Sequence, residues 1–69
     1  MNKARYISFL QHINDDVRYT NNKDFGGVVI MRLYGITVTK PNDYEMILLL
    51  QDKNTRTIYH VNEKDVEVI

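Results

Sequence analysis

The sequence predicts an α+β domain that is mostly β, with an N-terminal helix packed on a small antiparallel sheet or a five-stranded barrel. Three observations predict it. Residues 46–50 form the most apolar run of the chain, and residues 57–61 are mostly β-branched or aromatic, as strands prefer. A polar segment that contains Asp and Asn separates the two runs and favours a turn. The first residues instead repeat apolar side chains at helical spacing.

Residues 45–61 are predicted to form the central hairpin. The run Met46-Ile47-Leu48-Leu49-Leu50 is far shorter than the roughly 20 residues that an apolar helix needs to cross a bilayer. It fits a strand that is covered on both faces. The turn of residues 51–56 is short enough to make the second strand its antiparallel neighbour. We therefore expect Leu48 to lie at the centre of the core.

Residues 3–14 are predicted to form an amphipathic helix with Asn2 as its N-cap. A helix of about 12 residues is marginal by itself. We therefore expect it to dock on the sheet through Ile7, Leu10 and Ile13. The whole apolar stripe consists of Tyr6, Ile7, Leu10, Ile13 and Val17.

The middle of the chain is predicted to form one long strand with a bend. Residues 20–27 have the composition of a loop, and residues 28–34 are strongly β-forming. Gly35 interrupts this pattern, which residues 36–39 resume, and a glycine in that position indicates a bulge or a sharp bend. Residues 40–43, Lys-Pro-Asn-Asp, favour a turn.

The end of the chain completes the predicted sheet. Residues 62–65 have the form of a one-turn helical link capped by Asn62, and residues 66–69 alternate as a strand does. We interpret residues 1–69 as a single domain, in which 1–19 form the helix and its extension and 26–69 form the sheet.

Composition bounds the function. With no Cys, the chain has no disulfide and no thiolate metal site. The first 16 residues lack the features of a signal peptide, so we expect a cytoplasmic protein. The formal net charge of zero argues against capture of nucleic acid by the whole domain, although a local basic patch stays open. A core of this size also makes a homo-oligomer reasonable, because self-association adds burial.

The order of predicted elements supports a resemblance to a known architecture. The segments that carry it are Gly27-Val28-Val29 at the strand entry, the hairpin of residues 46–61, and the helical turn and closing strand of residues 61–68. Together they resemble a Src-homology-3-like small β-barrel with an N-terminal helix, an arrangement that is similar to the Sm-like fold. The resemblance covers roughly residues 26–69 and implies a fold only, so no binding residue is carried over. The seven Asn, seven Ile and single Ala also resemble the composition of small bacteriophage proteins.

The residues offer little for catalysis. His12 and His60 are the only histidines, and neither has further metal ligands at a suitable spacing. His12 lies four residues after Ser8, but nothing supplies the third group of a triad. The carboxylates are predicted to lie in turns or at exposed alternating positions, Glu63 among them. We therefore predict a protein that is no enzyme and holds no metal or cofactor.

The tyrosines and arginines are the candidate binding residues, since both types are enriched at interface hot spots. Aromatic rings with basic neighbours also suit nucleic-acid bases and phosphates. The third interpretation is that the rings cap the edge of the sheet and keep their hydroxyls in water. The candidates are Tyr34, Tyr44, Tyr59, Arg32, Lys53 and Arg56.

We therefore expect a non-enzymatic binding module, in the concrete form of a phage-encoded modulator that docks on a host or viral protein. The alternatives are a nucleic-acid-binding small barrel and a structural or assembly protein. Docking is expected at the tyrosine surface or at an edge strand, with residues 28–34 and 66–69 as the candidate edges. Nucleic acid gains if Arg32, Lys40, Lys53 and Arg56 converge on one face with a tyrosine, and loses if carboxylates interleave with them.

Overall fold

A computed structural model describes residues 3–22 and 27–69 of the chain. One helix, α1 (Lys3–Gln11), precedes five strands. The strands are β1 (Asp16–Asn22), β2 (Gly27–Lys40), β3 (Glu45–Gln51), β4 (Ile58–Asn62) and β5 (Val66–Val68), with a one-turn 3-10 helix, Glu63–Asp65, before the last. All neighbouring strands are antiparallel, in the order β4-β3-β2-β1-β5. The predicted α+β class is confirmed. Over the described residues the sheet stays open, so the barrel alternative is wrong.

The central hairpin is confirmed, with β3 and β4 paired from Ile47 opposite Asn62 to Gln51 opposite Ile58. The side chains of β3 alternate. Met46, Leu48 and Leu50 are buried in the core, whereas Ile47 and Leu49 are only half-buried on the other face. Leu48 has no exposed surface, as its central position predicts. The second face is less covered than expected, because the sheet is open and leaves Ile47 and Leu49 half-buried.

Strand β2 bends as its glycine predicts. Its first half pairs with β1 and its second half pairs with β3, and the two ladders meet at Arg32. The ladder with β3 slips between Leu33 and Gly35, which makes Tyr34 the extra residue of a β-bulge. The Cδ1 atom of Leu49 lies 3.4 Å from the position that a Cβ on Gly35 would occupy, so glycine also lets this side chain cross the strand closely.

The helix docks through a face that agrees only in part with the predicted stripe, of which Tyr6 packs against the core. Phe9 is 2% exposed and belongs to the core, whereas Ile7 and Leu10 are 44% and 46% exposed. The helix ends at Gln11 instead of residue 14. Ile13 therefore lies in the turn after the helix, and from there it packs against the core as predicted. Phe9 takes the inward position predicted for Leu10, and its larger ring buries more apolar surface there. The predicted cap Asn2 lies outside the described residues.

Strand β1 is the element that the sequence pattern did not predict. It occupies residues assigned to an extension and to the start of a loop, although Val17 is fully buried within it. Because β1 pairs with both β2 and β5, it separates them. The predicted edge at residues 28–34 is therefore wrong, and the second edge is β4. The predicted edge at the C-terminal strand is confirmed.

The short 3-10 helix is confirmed, with the Asn62 side chain accepting from the main-chain N–H of Lys64 at 2.9 Å. Glu63, however, is 4% exposed, which corrects the expectation of a solvated carboxylate. It is buried because Arg5 of α1 binds it: the Arg5 Nε lies 2.7 Å from Glu63 Oε2. This ion pair joins the helix to the link before β5. In the described part of the chain, no helix has the length and apolar character needed to cross a membrane.

Candidate binding cleft and the outer face of the sheet

The face of the sheet away from α1 carries a row of exposed side chains on β2. Val28, Ile30 and Tyr34 are 57%, 42% and 50% exposed. Arg32 lies between Ile30 and Tyr34, and its guanidinium carbon is 5.9 Å from the centroid of the Tyr34 ring. These four residues, which we call the outer row, share a face because side chains two apart on a strand point the same way. Their inward-facing neighbours, such as Met31 and Leu33, are fully buried.

An open cleft of about 450 Å³ begins where the outer row reaches Arg32. We call it the Arg32 cleft. It is lined by one residue of β2, the last residue of β3 and the hairpin turn that follows: Arg32, Gln51, Asp52, Lys53 and Arg56. Three of the predicted binding residues, Arg32, Lys53 and Arg56, therefore share one site.

Gln51 forms a hydrogen bond with each of the two arginines of the cleft. It lies opposite Arg32 in the β2–β3 ladder, and its Oε1 accepts a hydrogen bond from Arg32 Nη2 at 2.6 Å. Its Nε2 donates to the main-chain carbonyl of Arg56 at 3.3 Å. One side chain thus connects the arginine on the strand to the arginine on the turn. Sequence reasoning missed Gln51, because its position beside Arg32 depends on the pairing register of the two strands.

The hairpin turn is braced by its own hydrogen bonds. The Oδ1 of Asp52 accepts from the main-chain N–H groups of Asn54 and Thr55, at 2.8 and 3.0 Å. These donors, Thr55 first and Asn54 second, lower the pKa of Asp52 because they stabilise its ionised form. The main-chain N–H of Arg56 also donates to the Asp52 carbonyl at 2.8 Å. The turn therefore presents its side chains from a fixed backbone.

Carboxylates stand beside the basic residues of the cleft. Lys53 Nζ lies 2.8 Å from Asp16 Oδ2, and Asp52 is part of the lining. Lys40 lies outside the cleft and pairs with Glu45 at 3.7 Å. The proposed charge pattern for nucleic acid is therefore met only in part. Three of the four basic residues line one cleft, but of these it is Arg32 whose guanidinium lies beside the Tyr34 ring, and acidic residues interleave with them.

The structure does not bring Tyr44 and Tyr59 to the cleft. Both are partly buried and pack against the core. The Tyr44 ring lies 5.5 Å from the ring of Tyr6, and Tyr59 is paired with the buried Leu50 across β3 and β4. Of the three candidate tyrosines, Tyr34 is the exposed one, and it belongs to the outer row.

The histidines occupy separate places. His12 follows helix α1, and its Nδ1 lies 2.7 Å from the main-chain carbonyl of Ser8, to which it donates. His60 is exposed on the edge strand β4. Among residues 3–22 and 27–69, no three His, Asp or Glu side chains form a group that could hold a metal ion. No protein-family model, curated protein or solved structure matches this chain.

Proposed function

We propose that this chain is a small, non-enzymatic binding module that docks on another protein through its outer row and modulates it. The observation that carries the proposal is the exposure of Val28, Ile30 and Tyr34 side by side on a central strand. Exposed apolar side chains that lie together, unlike scattered ones, are typical of interaction sites. Arg32 beside Tyr34 adds the pair of residue types that interface hot spots prefer.

The position of the outer row also supports a binding surface. It lies on β2, which has a hydrogen-bonded strand on each side, so its backbone is held by the sheet. A rigid strand loses little freedom when a partner covers its side chains, and this lowers the cost of binding.

Site-specific photo-cross-linking tests the proposal. A benzophenone amino acid replaces Tyr34 or Ile30 in the full chain, and the matched control replaces the exposed Asn42 in the turn before β3. Irradiation in the cell that naturally makes the protein is expected to give one discrete adduct with another protein from positions 34 and 30, and none from position 42. Equal adducts from all three positions would contradict the proposal. Adducts of the chain with itself alone would favour the assembly alternative.

Nucleic-acid binding is the second candidate function. The gathering of Arg32, Lys53 and Arg56 in one cleft favours it, as does the exposed Tyr34 ring beside Arg32. The order of elements, with the helical turn before β5, also supports the resemblance to Src-homology-3-like and Sm-like domains, although the sheet is open. Titration of the protein with single-stranded DNA at several salt concentrations tests this function, because phosphate contacts weaken steeply with salt. The absence of salt-dependent binding would exclude it.

A further inference from the structure

We propose that the Arg32 cleft binds carboxylate groups of an acidic peptide segment in the partner protein. This inference rests on the proposed function, because the outer row would hold the apolar residues of the same segment. Arg32 belongs to both surfaces: it lines the cleft and it stands between Ile30 and Tyr34. An occupant that fills both must carry acidic and apolar groups close together, which a peptide segment does.

The charge of Arg32 has no carboxylate partner among residues 3–22 and 27–69. Its cross-strand neighbour is Asp16, but Asp16 binds Lys53 instead, at 2.8 Å. Instead of a carboxylate, Arg32 Nη2 contacts the uncharged Oε1 of Gln51. The Nε of Arg32 is buried without a hydrogen-bond partner among the described residues. Most of the guanidinium's donors therefore have no acceptor in the described part of the protein. A planar guanidinium in this state is suited to a carboxylate, which it can bind through two parallel hydrogen bonds.

Arg56 adds a second guanidinium from the turn. Its side chain makes no ion pair with any described residue, and it lines the same cleft. Its backbone φ is 63°, in the left-handed region, which costs Arg more conformational energy than it costs Gly or Asn. A strained residue that presents a free charge in a cleft is a reason to infer a binding role.

The remaining basic residues with described partners show the contrast. Arg5, Arg18 and Lys40 each pair with a glutamate, at 2.7, 3.1 and 3.7 Å. Among the described residues, the three cations of the cleft stand against Asp52 in the lining and Asp16 beside Lys53, so a positive charge remains there in a chain whose formal net charge is zero. This uncompensated charge attracts an anion to the cleft.

The two carboxylates favour a peptide over a nucleic acid. A polyphosphate backbone carries a charge at every nucleotide, and it would have to pass Asp16 and Asp52 as it crosses the cleft. A peptide places one or two carboxylates at the arginines and turns uncharged groups toward the acidic residues. The cleft therefore suits a local anionic group with an apolar neighbour.

Nitrogen-15 NMR titration of the full chain tests the inference, with hexaglutamate as the probe and hexaglutamine as the uncharged control peptide. We expect hexaglutamate to shift the amide signals of Arg32 and residues 51–56, with a Kd in the millimolar range, and hexaglutamine to shift none of them. Arg32→Gln and Arg56→Gln are each expected to weaken binding at least tenfold. The matched control is Lys40→Gln, a basic residue outside the cleft, which should change the Kd less than twofold.

Three results would overturn the inference. One is the absence of shifts in the cleft with hexaglutamate. Another is equal weakening by Lys40→Gln and Arg56→Gln, which would show that only the overall charge matters. The last is tight binding of single-stranded DNA with no binding of hexaglutamate, which would assign the cleft to nucleic acid. Arg56 is exposed in the turn, so its variant keeps the test valid if Arg32→Gln fails to fold.

The two proposals can fail separately. If cross-linking from position 34 finds a partner and Arg56→Gln leaves that adduct unchanged, the protein-binding function stands and the carboxylate site is excluded. If hexaglutamate binds in the cleft but positions 30 and 34 give no adduct, the anion site stands and the protein-binding function is excluded.

Discussion

Replacing Arg5 with Met is expected to lower the free energy of unfolding by about 2–3 kcal/mol. The guanidinium of Arg5 makes three hydrogen bonds across the chain. Nε donates to Glu63 Oε2 at 2.7 Å, and Nη2 donates to the main-chain carbonyls of Glu63 and Val66 at 2.7 and 3.2 Å. Methionine keeps an apolar stem over the Phe9 ring, whose centroid is 5.1 Å from the guanidinium carbon, so the change removes mainly the charge and its donors.

The magnitude follows from the unequal exposure of the two side chains. The Glu63 side chain is 6% exposed, and removing one partner of a fully buried ion pair costs about 3–5 kcal/mol. The Arg5 side chain is 46% exposed, so water reaches this end of the pair and reduces the loss. At roughly 0.05–0.15 kcal/mol per residue, the whole domain is stable by roughly 3–10 kcal/mol. The substitution therefore removes a large share of the stability and lowers Tm by about 8–24 °C.

Urea unfolding followed by circular dichroism measures the loss. The matched control is Arg18→Met, which breaks the pair between Arg18 and Glu67, whose side chains are 45% and 59% exposed. An exposed pair contributes about 0–1 kcal/mol, so this variant should unfold close to wild type. Adding Glu63→Gln to Arg5→Met is expected to recover part of the loss, because a neutral amide costs less to bury than an unpaired carboxylate.

Equal stability of Arg5→Met and Arg18→Met would refute the reasoning. It would show that Glu63 gains enough water, once Arg5 is gone, to keep its charge at little cost. A double variant that is less stable than Arg5→Met alone would refute the second step, since the stranded carboxylate would then not be the cause of the loss.

Further substitutions test the helix face, the strained turn and the titration of the hairpin. Phe9→Ala is expected to cost about 3–5 kcal/mol in urea unfolding, and Leu10→Ala at most about 0.5 kcal/mol; equal costs would contradict the orientation of α1. Arg56→Gly should raise the stability by about 0.5–1 kcal/mol, since glycine relieves the left-handed backbone but is more flexible when unfolded; a lower Tm would show that the residue is unstrained. The pKa of Asp52 lies below its ordinary value of 3.8, so its ionised form stabilises the fold above that pH and the contribution disappears as the pH falls through the lowered pKa. The Tm advantage of wild type over Asp52→Asn should therefore shrink between neutral pH and about pH 2.5, and a constant difference would argue against this linkage.

The parts of the fold that could be predicted are those that local sequence determines. The β3–β4 hairpin follows from two strand-forming runs around a polar turn, and the 3-10 helix follows from the cap at Asn62. Strand β1 could not be predicted in this way. Its polar residues become a strand because β2 lies on one side and β5 on the other, and Val17 is paired with Val68, far away in sequence. Such a strand depends on pairing more than on residue preference.

The residues of the candidate site could also be predicted only in part from the sequence. Arg32, Lys53 and Arg56 could be selected by residue type, but their convergence depends on the register that places Gln51 opposite Arg32. Residue type cannot distinguish Tyr34, which is exposed, from Tyr44, which packs against Tyr6. Burial of a tyrosine depends on which face its strand position occupies, and that face is known only when the sheet is assembled.

The bulge in β2 connects the core to the proposed binding surface. Val29, Met31 and Leu33 point inward at intervals of two residues, and the next inward residue, Ile36, follows after three. A strand without a bulge would turn Ile36 outward, since shifting the pattern by one residue moves every later side chain to the other face. The extra residue that restores the alternation is Tyr34, so the bulge that keeps Ile36 opposite the buried Leu48 also leaves an unpaired tyrosine on the outer face. Packing alone needs no aromatic residue at this position, because the side chain is half in water. The bulge therefore sets a large ring 5.9 Å from the guanidinium carbon of Arg32, which pairs with no carboxylate of the described residues, and this is the arrangement on which the proposed binding surface rests.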